Sequence, residues 1–353
     1  MRLFFYVIKH YLKNFLLLLL ALSFVVTLID FIQHLSKIEG INRQFLYFVY
    51  TASNSLMLIY PLALVFAAVM LLSQFVAKNY LIVFGSVGYA KRALLKPLLT
   101  AIFLVYSVIV LLGFTQFAYS SDSARAIIDK RQLFHSVENL FFKYNDSFVY
   151  VKKLDVANKV LHDIIIYRID GRRIENIKKI KSAIFYKGAW LAKDIEEQKI
   201  IFKKSIPQGY EIVKLSKQKI LKGYFPKVIR LLYEGKRMSI QDGFKALRLL
   251  NGQHIDNSKV IAALYEKLVM PLFAPTIIFL ILLYSPLSRR HMSSVKFYLF
   301  GIGFPILVWT LLYGVNILSV NGVLPALYSQ PLIILILILI TLFLWGKESK
   351  KLA

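Results

Sequence analysis

Residues 60–100 read YPLALVFAAVMLLSQFVAKNYLIVFGSVGYAKRALLKPLLT, and the reading of this stretch decides the fold. An apolar run after Pro61 ends near Val76, and a second run begins at Pro97. Between them Lys78 to Lys96 is basic and half apolar, the pattern of an amphipathic turn of helix. Two membrane-length helices joined in this way describe a membrane subunit that offers a docking element outside the bilayer.

Composition supports a membrane chain. Of 353 residues, 58% are hydrophobic, and the mean hydropathy is +0.60. No cysteine is present, which excludes disulfides, thiolate metal sites and thiol nucleophiles. The formal charge of +26 would suit nucleic acid, but Lys and Arg also flank membrane spans beside anionic lipid. Where the charge sits decides between these readings.

Working outward, Met1 to Asn14 carries Arg2, Lys9 and Lys13 and no acid. Phe15–Leu35 follows with 21 residues, enough for about 30 Å of hydrocarbon at about 1.5 Å per residue. It is too long for a signal-peptide core and no small-residue cleavage site follows, so it is expected to be retained. Asp30 near its far end is read as interfacial and solvated. The expected spans are residues 15–35, 48–76, 97–118, 261–284, 297–318 and 328–345, with Pro61 kinking the second.

Residues 119–259 differ in character, holding 29 Lys and Arg against 15 Asp and Glu. Segments such as SFVYVKKL (147–154), DIIIYRI (163–169), SAIFYK (182–187), AWLAKD (189–194) and KIIFKK (199–204) alternate with period two. Asp170-Gly171, Lys187-Gly188 and Pro207 punctuate them, so short antiparallel strands are expected. The fold class is therefore a six-span helical membrane protein with an inserted all-β domain of sandwich or jelly-roll type. Ser239 and Asp242 mark a helix start and Asn251-Gly252 its stop. The expected division is residues 1–118, 119–237, a connecting helix in 238–259, and 260–353.

Loop charges set the orientation. One side collects 3, 4, 3 and 3 basic residues over four short segments, the other 2 and 0. Both termini and the 77–96 loop are then cytoplasmic, and the long basic β-domain, exempt from the rule, lies outside.

No GxxxxGK[ST] loop, HExxH or GxSxG motif occurs, so neither ATP hydrolysis nor metal or serine chemistry is expected of this chain. The histidines (His10, His34, His135, His162, His254 and His291) are scattered and suit solvated or interfacial roles better than ligation. Aromatics in the β-domain suit core packing better than base stacking, and no nucleic acid partner is expected. Lys37, Arg43 and Arg125 lie just beyond outer helix ends; anchoring is the simple reading, and an attraction for phosphorylated headgroups the functional one. In the loop, Leu81, Ile82, Phe84 and Tyr89 suit either rest on the inner leaflet or insertion into a partner groove. Gly85 and Gly88 permit a tight end or close approach.

The order of parts resembles the LptF/LptG (YjgP/YjgQ) permeases of the lipopolysaccharide transporter over essentially the whole chain. The most specific pieces are residues 60–94, FFKYNDSFVYVKKL (141–154) and YEKLVMPLFAPTIIFLIL (265–282). DFIQHLSK (30–37) and the 141–154 piece resemble LptG more than LptF. The resemblance implies the non-ATPase half of an ABC exporter in the bacterial inner membrane. It binds no cofactor of its own; ATP is used by a cytoplasmic LptB-like ATPase dimer. Further implied partners are a homologous LptF-like second permease subunit, periplasmic LptC/LptA-like bridge proteins and lipopolysaccharide itself. Residues 77–92, with Lys78, Tyr80, Leu81, Ile82, Phe84, Gly85, Gly88 and Tyr89, would form the coupling helix. Lys37 matches a basic position near the lipid phosphates, and Arg125 falls close to another. Two positions depart from the family pattern: Tyr80 stands where a glutamate is usual, and Asp30 where a basic residue is common. A membrane-anchored periplasmic scaffold without transport activity is the alternative.

Overall fold

A computed structural model describes residues 2–129, 137–156, 158–170, 173–203, 206–226, 229, 238–252, 257–286 and 294–351. Gly171, His135, His254 and His291, named above, lie outside these residues, as do Arg289 and Arg290, two of the basic residues counted in the loop before the fifth span. The chain divides into two compact units, residues 1–124 with 261–353, and residues 125–260.

The first unit is helical. Among the described residues six segments are long and apolar enough to cross a membrane: Arg2–Lys37, Ile41–Ala77, Lys91–Gly113, Ser258–Tyr284, Lys296–Val320 and Ala326–Lys347. The chain is a multi-pass membrane protein. Its helices are α1 (Arg2–His34), α2 (Ile41–Ala77), α3 (Tyr80–Ser86), α4 (Leu95–Gly113), α5 (Ser120–Ile128), α6 (Ile240–Asn251), α7 (Ser258–Leu268), α8 (Phe273–Tyr284), α9 (Ser294–Tyr298), α10 (Phe304–Val320) and α11 (Ala326–Lys351). The first helix begins at Arg2, well before the apolar run, because nothing in residues 2–14 breaks a helix. The fourth span is interrupted by a 3-10 turn at Met270–Leu272, where Pro271 cannot donate a helical hydrogen bond.

Helix α2 is the core of this unit. From Ala63 to Val76, Ala63, Leu64, Val65, Ala67, Ala68, Val69, Leu71, Leu72, Phe75 and Val76 are all buried. This half of α2 is largely enclosed by its neighbours, with Phe66, Met70, Ser73 and Gln74 half-buried along its more open face. Tyr11 of α1 donates to the Leu64 carbonyl over 2.9 Å. Opposite, the fifth span widens into a π turn at Leu299–Gly303. A Cβ at Gly301 would stand 3.0 Å from Val69 Cγ2, so glycine sets how closely the fifth span approaches α2.

The second unit is a six-stranded antiparallel meander in the order β1 to β6. Its strands are β1 (Val137–Tyr144), β2 (Ser147–Asp155), β3 (Val160–Asp170), β4 (Arg173–Tyr186), β5 (Ala189–Lys203) and β6 (Ile206–Ile220). The inserted all-β domain is thus present, with consecutive pairing in place of the crossovers of a true jelly roll. The segments 189–194 and 199–204 merge into β5, β1 and β6 fall outside the stretches read as strands, and Pro207 lies within β6. Lys187 and Gly188 make the β4–β5 turn with φ of +45° and +83°, the primed turn that matches strand twist.

One row interrupts every ladder. The pairings skip Asn139, Lys152, Asp163, Lys181, Asp194 and Ser216, which stand opposite one another across all six strands. On alternate strands the residue is left-handed: Asn139, Asp163 and Asp194 have φ of +56°, +51° and +54°. Asn and Asp tolerate that conformation best among non-glycine residues. Inward alternation slips by one at this row. Leu161 is buried before it and Ile164 and Ile166 after it; on β5, Trp190 and Ala192 give way to Ile195. Without the slip, half of each strand would turn its apolar side to water.

The crease curls the sheet until opposite corners meet. Tyr224, beyond β6, stacks on Phe142 of β1 at 5.4 Å and donates to the Lys143 carbonyl over 2.9 Å. Its own carbonyl accepts from Trp190 Nε1 of β5 over 2.6 Å. One continuous core results, running from Val137 and Leu140 through Ile164, Ile180 and Trp190 to Leu221. Further along the inner face Asn176 donates to Glu197, and Lys178 reaches Gln218 over 3.1 Å. Beyond the sheet, α6 starts as expected, with Ser239 Oγ accepting from the Asp242 amide over 3.1 Å.

Placing a β-branched residue in the left-handed row tests this crease. Asp194→Val is expected to destabilise the β-domain by about 1–2 kcal/mol, whereas Lys193→Val next to it changes stability by about 0.5 kcal/mol or less. Thermal unfolding of the purified chain, followed by its β-sheet circular dichroism signal, measures both.

Candidate functional site

The loop after α2 is a short helix held by specific backbone chemistry. Lys78 ends α2, and Asn79 turns left-handed at φ +54°, so α3 starts in a new direction. The Asn79 carbonyl accepts from the amides of Ile82 and Val83. At the other end the Tyr89 amide donates to the Phe84 carbonyl over 2.8 Å, and the Gly88 amide to Gly85 over 3.0 Å. This is a Schellman stop with Gly88, at φ +88°, in the position that needs glycine.

The helix has two faces. Leu81 is buried, and half-buried Phe84 packs its ring at 5.6 Å from Phe75 of α2. Tyr80 lies 5.9 Å from Phe75 and 6.5 Å from Tyr6 of α1, with the Lys78 ammonium 5.9 Å from its own ring centre. These residues seat the helix on the first two spans. Ile82 and Val83 are 50% and 52% exposed and Val87 is 69% exposed, and they point away with Tyr89. Of the four apolar residues read as inserting into a partner, Ile82 and Tyr89 are open to it, while Leu81 and Phe84 are mostly spent on the chain's own spans. Val83 and Val87 complete the outward face and were not singled out. A groove of about 510 Å³ runs beside it, lined by Arg2, Leu3, Tyr6, Tyr80, Val83, Phe84, Val87 and Tyr89. Gly85 has open space where a side chain would stand.

The basic candidates lie elsewhere. Lys37 closes the 3-10 turn Leu35–Lys37, and Arg43 sits in the first turn of α2; both are exposed, on either side of the tight connection at Gly40. Arg125 is exposed in the last turn of α5. Asp30 is not merely solvated. Tyr47 of α2 donates to its Oδ2 over 2.5 Å, and His34 Nδ1 stands 3.6 Å from Oδ1, so the acid ties α1 to α2. In the fourth to sixth spans Asn316 donates to Glu266 over 2.7 Å, and Ser319 meets Ser329 at 2.7 Å. Neither pair was visible in the sequence, because neither leaves a local pattern: Asn316 and Glu266 are fifty residues apart, and Ser319 and Ser329 lie on either side of a turn.

The family model described as lipopolysaccharide export system permease LptF/LptG matches residues 5–345. The chain belongs to this family. The match spans both units and takes in the inserted sheet, the short helix between the second and third spans, and all six apolar helices but for a few residues at the outer ends of the first and last. No curated protein matches the sequence. A permease of this family is a non-catalytic membrane subunit. The Tyr80 ring packs against Phe75, Phe84 and Tyr6.

Two glycines three residues apart should respond oppositely. Gly85→Ala, inside the helix and unobstructed, is expected to stabilise by about 0.5–1 kcal/mol. Gly88→Ala is expected to destabilise by about 1 kcal/mol, since alanine resists positive φ. Melting curves of the two purified variants decide it. Loss of export in a well-folded Gly85→Ala protein would mark Gly85 as a point of close partner approach.

Proposed function

We propose that this permease is the transmembrane, non-ATPase half of an ATP-driven exporter that takes lipopolysaccharide from the inner membrane toward the outer membrane. Both termini and α3 are cytoplasmic, the β-domain is periplasmic, and the loop charges of 3, 4, 3 and 3 against 2 and 0 support that orientation. Of the two subunit types, residues 30–37 and 141–154 favour LptG, so its membrane partner is an LptF-like subunit. A cytoplasmic ATPase dimer binds at α3. The observation that carries this reading is the outward apolar face of Ile82, Val83, Val87 and Tyr89, on a helix otherwise anchored to the first two spans. Such a face suits a groove on a partner that supplies the power.

The lipid path follows from the chemistry at the other end. Lys37 and Arg43, with Arg125, supply cations for headgroup phosphates, and guanidinium groups bind phosphate oxygens in pairs. ATP-driven closure transmitted through α3 would press the lipid upward. Acyl chains then pass along the apolar interior of the curled sheet, and periplasmic bridge proteins receive the lipid from the β-domain. A scaffold without transport would leave the outward face of α3 without an occupant, and no observation favours it.

Ile82→Asp tests the reading without disturbing the core, because Ile82 is half exposed. Recovery of the ATPase with the purified chain is expected to fall at least about tenfold, the effect of charging a contact worth ~1.4 kcal/mol or more. Unchanged recovery of the ATPase would sink the coupling assignment.

A further inference from the structure

The coupling helix has a second attachment, on the far side of Gly88. After Ala90, which is extended, residues Lys91–Leu94 form a 3-10 turn that leads into α4. Lys91 Nζ donates to the main-chain carbonyls of Leu283 over 2.8 Å and Ser285 over 2.5 Å. These carbonyls end the fourth span. Helix α8 stops at Tyr284, Ser285 is extended, and the next residue is Pro286, which has no N–H to offer. A lysine ammonium supplies both the missing donors and the positive charge that a helix C-terminus favours.

Arg92 engages a different helix. Its guanidinium carbon stands 4.4 Å from the ring centre of Trp345 on α11, and that ring lies 4.7 Å from Phe279 of α8. Arg92 Nη2 is buried with no hydrogen-bond partner among the described residues, where the ring face is what holds this end of the guanidinium. Leu94, two residues on, is buried in the same helical core.

The element from Tyr80 to Leu94 is therefore fastened twice. Tyr80, Leu81 and Phe84 grip the first two spans, and Lys91 and Arg92 grip the ends of the fourth and sixth. We propose that Lys91 and Arg92 are positioning residues that carry displacement of the coupling helix into the fourth and sixth spans, so that both halves of the helical unit move together. The proposal rests on the reading of α3 as the ATPase contact. Apolar seating alone lets a helix slide over its neighbours, whereas a lysine bound to two carbonyls and an arginine on an indole face fix both distance and direction. The two residues would act on the coupling of hydrolysis to transport, not on docking.

The test uses the intact transporter with its ATPase, comparing Lys91→Met combined with Arg92→Leu against Ile82→Asp. In the double variant the ATPase is expected to co-purify as with the native chain and to keep hydrolysing ATP. Lipopolysaccharide delivered per ATP is expected to fall about tenfold, in the range of an inter-site coupling free energy. Trp345→Leu should reproduce the Arg92 part from the span side, and Lys91→Arg alone should keep delivery near native because it retains a cationic donor. Native delivery per ATP in the double variant would overturn the proposal while leaving α3 as the docking element. Loss of the ATPase to the same degree as in Ile82→Asp would overturn it too, by making Lys91 and Arg92 docking residues. Retention of the ATPase by Ile82→Asp would instead remove the coupling reading and the proposal with it.

Discussion

The enclosure of the second half of α2 is the constraint on which the helical unit depends. Ten residues between Ala63 and Val76 are buried, and the segment's one more open row is half-buried Phe66, Met70, Ser73 and Gln74. Around the rest of its circumference, position is set by shape: small alanines where neighbours come close, Leu and Phe where they stand off. Gly301 against Val69 is the tightest of these fits. The fifth span's π turn lies at the same level, and an extra residue in a turn is one way to bring a glycine round to face its neighbour. Helix α3 follows the end of this segment through one left-handed asparagine, Asn79, and packs back on it through Phe75.

The β-domain solves a different problem. A flat six-stranded meander has two faces and cannot bury one without a second layer. Here the sheet supplies its own second layer by folding along one row. Alternating Lys and Asp along that row, with Lys152 and Asp163 at 3.4 Å, keep the ridge wet. The exposed ion pair itself contributes little. What holds the fold is the apolar core on the concave side and the Trp190–Tyr224–Phe142 closure between distant corners.

Much of this was legible in the sequence, for identifiable reasons. Spans announce themselves because hydrocarbon demands long apolar runs, and all six were found where hydropathy put them. Strands β2 to β5 were visible through alternation, but the reading split β5 at Asp194, because the slip in alternation looks like a break when only period two is sought. β1 and β6 carry weaker patterns, and Asn139 interrupts β1 near its start. A short helix does stand in the loop between the second and third spans, yet its faces could not be sorted over only seven residues. Leu81 and Ile82 are equally apolar, and only the seat on Phe75 and Tyr6 decides which one turns inward. Contacts between distant residues, such as Lys91 with the Leu283 carbonyl or Tyr47 with Asp30, leave no local signature at all.

The polar ties and the bare apolar faces of the helical unit belong to one physical account. Asp30 with Tyr47, Asn316 with Glu266, and Ser319 with Ser329 each link helices inside the apolar unit. Hydrocarbon gives helices no hydrophobic reason to associate, so close packing and hydrogen bonds of this kind must specify their arrangement. The most apolar windows of the first, fifth and sixth spans are only 22% buried, leaving Leu17, Leu20, Phe24, Leu307, Leu335 and Phe343 uncovered. In water such faces would drive aggregation; in a bilayer they meet acyl chains or another subunit without penalty. The enclosed α2 and the uncovered first, fifth and sixth spans thus divide the unit into a rigid centre and an open flank, and a lipid-handling permease needs both.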